Sequence, residues 1–181
     1  MEYWDLYTFD GQKTGETMTY GQRQPQDRYR MVVHVCIFDK AGRMLIQRRL
    51  PTIKGWPGLW DFTVGGSAIA GETCQQAAQR ELLEETGLDI SFAGVRPAMS
   101  LTFERGTDYI FTVEREIDLE NVRPQPEEVA EVKWATLEEV LAMVEADTFI
   151  PYHKGLVELL FALRNTRSSH THPDYSRVKK A

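Results

Sequence analysis

The chain has 181 residues with 27 acidic and 21 basic side chains, a formal charge of −6. That balance argues against a general binder of nucleic acid or anionic membranes, whose domains are usually basic, and an anionic substrate would need a cation to mediate its contact. No apolar run approaches the roughly 20 residues of a membrane span, MEYWDLYTFD does not read as a signal peptide, and the two cysteines, Cys36 and Cys74, are expected to be buried reduced thiols. A cytoplasmic location is the expectation.

In chain order, WDLYTF and GETMTY read as two short strands around a turn at Asp10-Gly11. After the polar stretch GQRQPQDR comes the strong strand MVVHVCIF (31–38), and the turn DKAG is expected to join it to MLIQRR in a hairpin. LPTIKGWPGLW then reads as a loop, followed by DFTVGG. A helix opens at Thr73, which with Gln76 three residues on fits a capping box, and closes before Gly87, a natural left-handed residue. Strands are expected at 91–95, 99–104 and 109–116, a loop at Pro124-Gln125-Pro126 and a short strand at EVKW. Helices are expected at 137–145 and 153–164, and a basic, mobile tail from 166. The expected organisation is therefore an N-terminal strand extension over 1–29, a single α/β domain with a mixed sheet over 30–165, and the tail over 166–181.

The helix 73–87 carries an anomaly. Glu84 and Glu85 sit at its C-terminal end, where the macrodipole disfavours carboxylates by about 0.3–1 kcal/mol each. Glu81 and Glu85 add an i,i+4 like-charge pair. Drawn at 100° per residue, Glu81, Glu84 and Glu85 fall within an arc of roughly 100°, one dense acidic patch. A solvated acidic face offers no compensation for these penalties. A hard divalent cation does, since Mg²⁺ and Mn²⁺ take carboxylate oxygens and leave positions for water and phosphate.

Written out from Gly66 to Leu88, the stretch is G-x5-E-x7-R-E-U-x-E-E-x-G-U, with U aliphatic. A chance match of its seven fixed residues in a given register has a frequency on the order of 10⁻⁸. The stretch resembles the complete Nudix box, and the chain from about Met31 to Glu145 resembles a Nudix hydrolase in element order. That resemblance implies an α/β/α sandwich whose loop–helix–loop holds divalent metal, Mg²⁺ or Mn²⁺, against a diphosphate. It implies Gly66, Glu81, Glu84 and Glu85 as metal-binding positions, with Glu81 also the base toward water and Arg80 orienting the glutamates. Glu72 is implied as a structural partner of a basic group, and Glu128 as the acidic residue that a later loop supplies.

Within the family, the early aromatic segment, IFDKAGRMLIQRR and KGWPGLWDFTVGG are similar to the isopentenyl-diphosphate isomerase-like branch. The isomerase cysteine position is Gly65 here, and its metal histidine positions are Ser67 and Arg30, so the isomerase chemistry lacks its residues. His34, nearby, reads as a packed core histidine. The expected function is hydrolysis of a diphosphate linked to another group. The alternatives are an isomerase-like enzyme and a nucleotide-sensing module that does not cut. Arg49 and Lys54, with Arg48, flank the presumed cleft as phosphate-binding candidates. Trp56 and Phe103 are candidates to stack on a base or pack an apolar tail, and Trp60 reads as core. The partner expected is a small-molecule diphosphate, with no stable nucleic-acid or membrane binding. The N-terminal strands offer edges through which two chains could form a homodimer.

Overall fold

A computed structural model describes residues 2–166. The element order is β1 (Tyr3–Tyr7), β2 (Lys13–Thr19), β3 (Arg30–Phe38), β4 (Met44–Arg49), β5 (Trp60–Asp61), β6 (Val64–Ser67), α1 (Cys74–Thr86), β7 (Met99–Phe103), β8 (Gly106–Glu114), β9 (Val129–Ala135), α2 (Leu137–Glu145) and α3 (Lys154–Ala162).

Seven strands form one mixed sheet centred on β3. On one side β8 runs parallel to β3, in register from Arg30↔Gly106 to Phe38↔Glu114, and β7 closes that edge antiparallel. On the other side β6 pairs antiparallel with the first half of β3, and β4 meets it at Phe38↔Met44. Strand β4 in turn carries β9 and β5.

Side-chain alternation along β3 sorts the two cores. Val33, Val35 and Ile37 face α1, where Ala77, Ala78 and Leu82 pack with Phe92 and Phe111. Cys36 and Phe38 face the other way, onto Val140 of α2 and Val157, Leu160 and Phe161 of α3. The result is the expected α/β/α sandwich in a single domain. Among the described residues, no helix is long and apolar enough to cross a membrane.

Helix α1 begins as its sequence requires: Thr73 accepts from the Gln76 N–H, and the Gln76 side chain returns to the Thr73 N–H, a closed capping box. It ends at Gly87 with φ 71°, whose N–H bonds the Leu83 carbonyl. The small Ala77 and Ala78, both fully buried, bring α1 close against the sheet.

Strands β1 and β2 make a separate two-stranded sheet. Trp4, Leu6 and Met18 of this hairpin pack on Ile69 in the loop before α1. The Asp5 Oδ2 accepts from the Gly71 N–H at 2.9 Å and the Tyr3 carbonyl from the Ala70 N–H at 2.6 Å. The hairpin is thus fastened to the loop that leads into α1.

Several expectations are corrected. Residues 91–95 are not a strand: Ile90 and Phe92 are buried, but Gly94 at φ 72° and the Val95 N–H to Phe92 carbonyl bond make a turn. DFTVGG, for which no element was expected, divides between β5 and β6, and the strand expected at EVKW is present as part of the longer β9. Cys36 is buried as expected, whereas Cys74 is only half-buried; both thiols are free. The tail expected over 166–181 lies outside the described residues except for Thr166. Removing the cap by Thr73→Ala should lower the unfolding free energy by about 1 kcal/mol in a urea titration, with secondary structure retained.

Candidate active site

Arg80 is the centre of the site. Its Nε and Nη2 bond the two oxygens of Glu72, at 2.8 and 3.0 Å. Its Nη1 reaches Glu81 and Glu84, each at 3.0 Å, and Nη2 also donates to the Ser67 carbonyl at 3.1 Å. Glu72 in turn accepts from the Ile69 N–H, which folds the loop back on itself. One guanidinium therefore ties the loop, the end of β6 and the acidic face of α1 together. Burial works against its charge, but the Glu72 bonds and the Glu81 charge outweigh burial and hold its pKa above the ordinary value. This pairing is an internal compensation for the crowded carboxylates that the solvated-face reading left out.

Glu81 lies against Gly66. A Cβ at Gly66 would sit 2.2 Å from the Glu81 carboxyl carbon, so only glycine permits this approach. Burial raises the Glu81 pKa to about 7, opposed by the Arg80 charge and hydrogen bond and helped by the Glu84 and Glu2 charges. Glu85 is 3% exposed and accepts from Gln47 Nε2 of β4 at 2.5 Å. Its pKa is well above the carboxylate range, first through burial and then through Glu81. Glu84 is half exposed, with its carboxylate at Arg80.

Glu81, Glu84 and Glu85 line a cavity of about 400 Å³ with Glu128, Arg30 and Arg49. Glu128 stands in the loop before β9, its carbonyl accepting from the Leu50 N–H at 2.8 Å. A second cavity, of about 420 Å³, shares Arg30, Arg49, Gly65, Gly66 and Ser67 with the first and is walled by Trp56 and Phe103. Arg49 is largely buried, donating to the Gly55 carbonyl with Nη1 3.9 Å from Asp61. Lys54 lines neither cavity: its ammonium lies 5.5 Å from the centre of the Tyr20 ring. Arg48 is likewise turned away, bonded to the Gly58 carbonyl and 3.9 Å from Glu131. Trp60 is core.

Polar residues lining the second cavity escaped the sequence reading. His34 is buried, as a core histidine would be, yet its Nε2 stands 3.4 Å from Asp108. Burial lowers the His34 pKa, but the Asp108 bond and the Asp61 charge outweigh it and raise the pKa. Asp61 accepts from the Tyr152 hydroxyl at 3.0 Å and the Phe62 N–H at 2.7 Å. An aspartate within the apolar run WDF was the available signal; Tyr152 gave none.

The donors suit a hard divalent cation by type, being carboxylates with a cradle at Gly66 that a Cβ would fill. Among the described residues no three acidic, histidine or cysteine side chains are already gathered around one point. Arg80 and Gln47 hold the carboxylates that a cation would share.

A mixed-sheet sandwich with a carboxylate-bearing loop–helix–loop packed on its central strands defines the class of protein. A family model, the NUDIX domain, matches residues 28–160, and the chain belongs to the Nudix hydrolase family. It is 39% identical over 170 residues to an uncharacterised Nudix hydrolase of Listeria monocytogenes, covering 94% of this chain and 99% of that protein. An isopentenyl-diphosphate Delta-isomerase of Cutibacterium acnes is 34% identical over 110 residues, 54% of this chain and 55% of that one. The fold matches the crystal structure of DR0079 from Deinococcus radiodurans with a TM-score of 0.70, over 87% of this chain and 98% of that chain, at 24% identity.

The raised Glu81 pKa has a consequence for stability. Between its ordinary 4.5 and about 7, the folded protein holds a proton that the unfolded chain has released. Its contribution is full below the unfolded value and lost as pH rises through the folded one. In chelator, unfolding free energy should fall as pH rises across that window, and saturating Mg²⁺ should oppose the fall; denaturant titrations at stepped pH check both.

Proposed function

We propose that this chain is a divalent-metal-dependent hydrolase that cleaves a diphosphate linkage in an organic diphosphate, using Mg²⁺ or Mn²⁺. The observation that carries the reading is the density of buried carboxylate at Gly66: the Glu81 carboxyl fills the space of the missing side chain, with Glu85 buried one turn along α1. Glu81, Glu84 and Glu85 would hold the cation, with Gly66 leaving room for it. When bound, the cation would neutralise charge on the bridging and leaving oxygens and make water a better nucleophile.

The chain's own groups do the rest. Glu81, whose carboxyl stands against Gly66, is the group placed to take a proton from the attacking water. Arg80 holds that carboxylate in place from its fork on Glu72. Arg49 lines the cavity as a cation for phosphate, and Glu128 brings a carboxylate from a separate loop. Trp56 and Phe103 wall the adjoining cavity and would flank the group attached to the diphosphate.

The similarity to isomerases does not carry their chemistry. Gly65 has no proton donor, and a Cβ there would lie 2.6 Å from His34 Nδ1, so even the first atom of a cysteine side chain would displace the imidazole. A non-cutting sensor has no use for three box carboxylates held at such electrostatic cost.

Two measurements test the reading. A screen of nucleoside-diphosphate-linked compounds and prenyl diphosphates with Mg²⁺, scored by released phosphate or monophosphate, should find a substrate whose turnover stops in chelator; no turnover on any of them sinks the proposal. On that substrate Glu81→Gln should lower kcat about 10²–10⁴-fold. Glu85→Gln should also suppress turnover while raising the melting temperature of the metal-free protein, since it removes a buried carboxylate.

A further inference from the structure

We infer that Arg30, backed by Trp4 of the N-terminal hairpin, anchors a phosphoryl group of the substrate, which makes the hairpin part of the substrate site. The inference rests on the diphosphate reading above, and it concerns a wall of the cavity to which the box contributes no cation.

Three arginines line the two adjoining cavities, and they differ in what their donors already do. Arg80 is saturated by Glu72, Glu81, Glu84 and the Ser67 carbonyl. Arg49 spends its Nε on the Gly55 carbonyl and stands within ion-pair range of Asp61. Among the described residues the guanidinium of Arg30, at the start of β3, has one hydrogen bond, from Nη1 to Ser67 Oγ at 3.3 Å. Among the described residues its Nε is buried with no acceptor and no carboxylate stands at ion-pair distance from it, the Asp108 charge acting on it from farther away. A guanidinium carries five N–H donors in a planar fork, and burying one without a carboxylate is costly unless another anion completes it. Arg30 lines both cavities, so an anion that completes it lies where they meet.

The second observation is independent of Arg30. Trp4 is 8% exposed and lines the carboxylate cavity, and its indole Nε1, a donor, is also buried without an acceptor. Its ring lies under the Arg30 guanidinium, 5.2 Å from carbon to centroid, which keeps the fork in one orientation. The Asp5–Gly71 and Tyr3–Ala70 bonds fix where Trp4 stands relative to the loop before α1. The incomplete Arg30 fork, the Ser67 hydroxyl at its Nη1 and the unpaired Trp4 indole N–H, all on residues that line the carboxylate cavity, call for a ligand rich in acceptor oxygens. A phosphoryl group has three, and guanidinium forks match it in shape as well as charge. One phosphoryl of the diphosphate would then face the box carboxylates through their cation while the other meets Arg30.

Inorganic pyrophosphate with Mg²⁺ is the probe, titrated by calorimetry into the full chain. Arg30→Gln should weaken binding about tenfold to a hundredfold, as loss of a charge-assisted contact does. Arg30→Lys should recover part of this, keeping charge without the fork. Trp4→Phe, which keeps a ring beneath the guanidinium but removes the N–H, should weaken binding about threefold to tenfold. Arg28→Gln, a charge control at an exposed pair with Glu16, should bind as the parent does. On a turned-over substrate, Arg30→Gln should raise KM far more than it lowers kcat.

Failure of the parent to bind pyrophosphate, or parental affinity in a folded Arg30→Gln, overturns the anchor. Unchanged affinity in Trp4→Phe overturns the part assigned to the hairpin. Should Arg30→Gln not fold, Arg30→Lys and Trp4→Phe decide by the same readings. Pyrophosphate binding that needs Arg30 in a protein that hydrolyses nothing would leave the anchor standing and remove the hydrolase reading. Hydrolysis with a KM indifferent to Arg30 would do the reverse.

Discussion

The fork of Arg80 on Glu72 is the contact on which the rest of the site depends. Without it, α1 would present adjacent carboxylates to one another with no cation of the protein's own between them. With it, the loop before α1 is closed through Glu72, the end of β6 is held through the Ser67 carbonyl, and Glu81 and Glu84 are fixed in rotamer. A planar, permanently charged fork can join four partners at once; an ammonium, with three donors and no plane, cannot keep that geometry. The loop, the end of β6 and the acidic face of α1 are therefore held together by the chain's own groups.

How much of this was legible in the sequence follows the range of the interactions involved. The ends of α1 were readable because a capping box and a left-handed glycine are chemistry between near neighbours. Strand β3 was readable from its own apolar, β-branched run, and α2 falls on the residues expected of it. The box positions were readable as a resemblance, and the structure brings Gly66, Arg80, Glu81, Glu84, Glu85, Arg49 and Glu128 to one cavity.

What was not legible depends on pairings across the fold. The burial of Glu85 needs Gln47, set by how β4 lies beneath α1. The His34–Asp108 contact needs the parallel register of β3 with β8. Lys54 was expected to flank the cleft; the loop after β4 turns at Gly55 and Trp56, both with positive φ, and sets the ammonium over Tyr20, a residue that lines the carboxylate cavity. Residues 91–95 satisfied the apolar rhythm of a strand while a turn at Gly94 met the backbone's needs. Arg30 stood out in the sequence only as the place of an isomerase histidine and Trp4 only within an aromatic segment; what marks them is a lack of hydrogen-bond partners that depends on the folded chain.

Consecutive residues of a strand face opposite sides, and on β6 two consecutive residues are glycines whose absent side chains are each replaced by a neighbour: Glu81 at Gly66 and His34 at Gly65. The partition between the two cavities is there reduced to bare peptide. A ligand extending from one to the other would cross that peptide beside Arg30, Arg49 and Ser67, groups that line both cavities and meet a phosphoryl whatever it carries. Discrimination among cargoes must then come from the residues that flank the crossing, and those can change without disturbing the carboxylates on the far side of the strand.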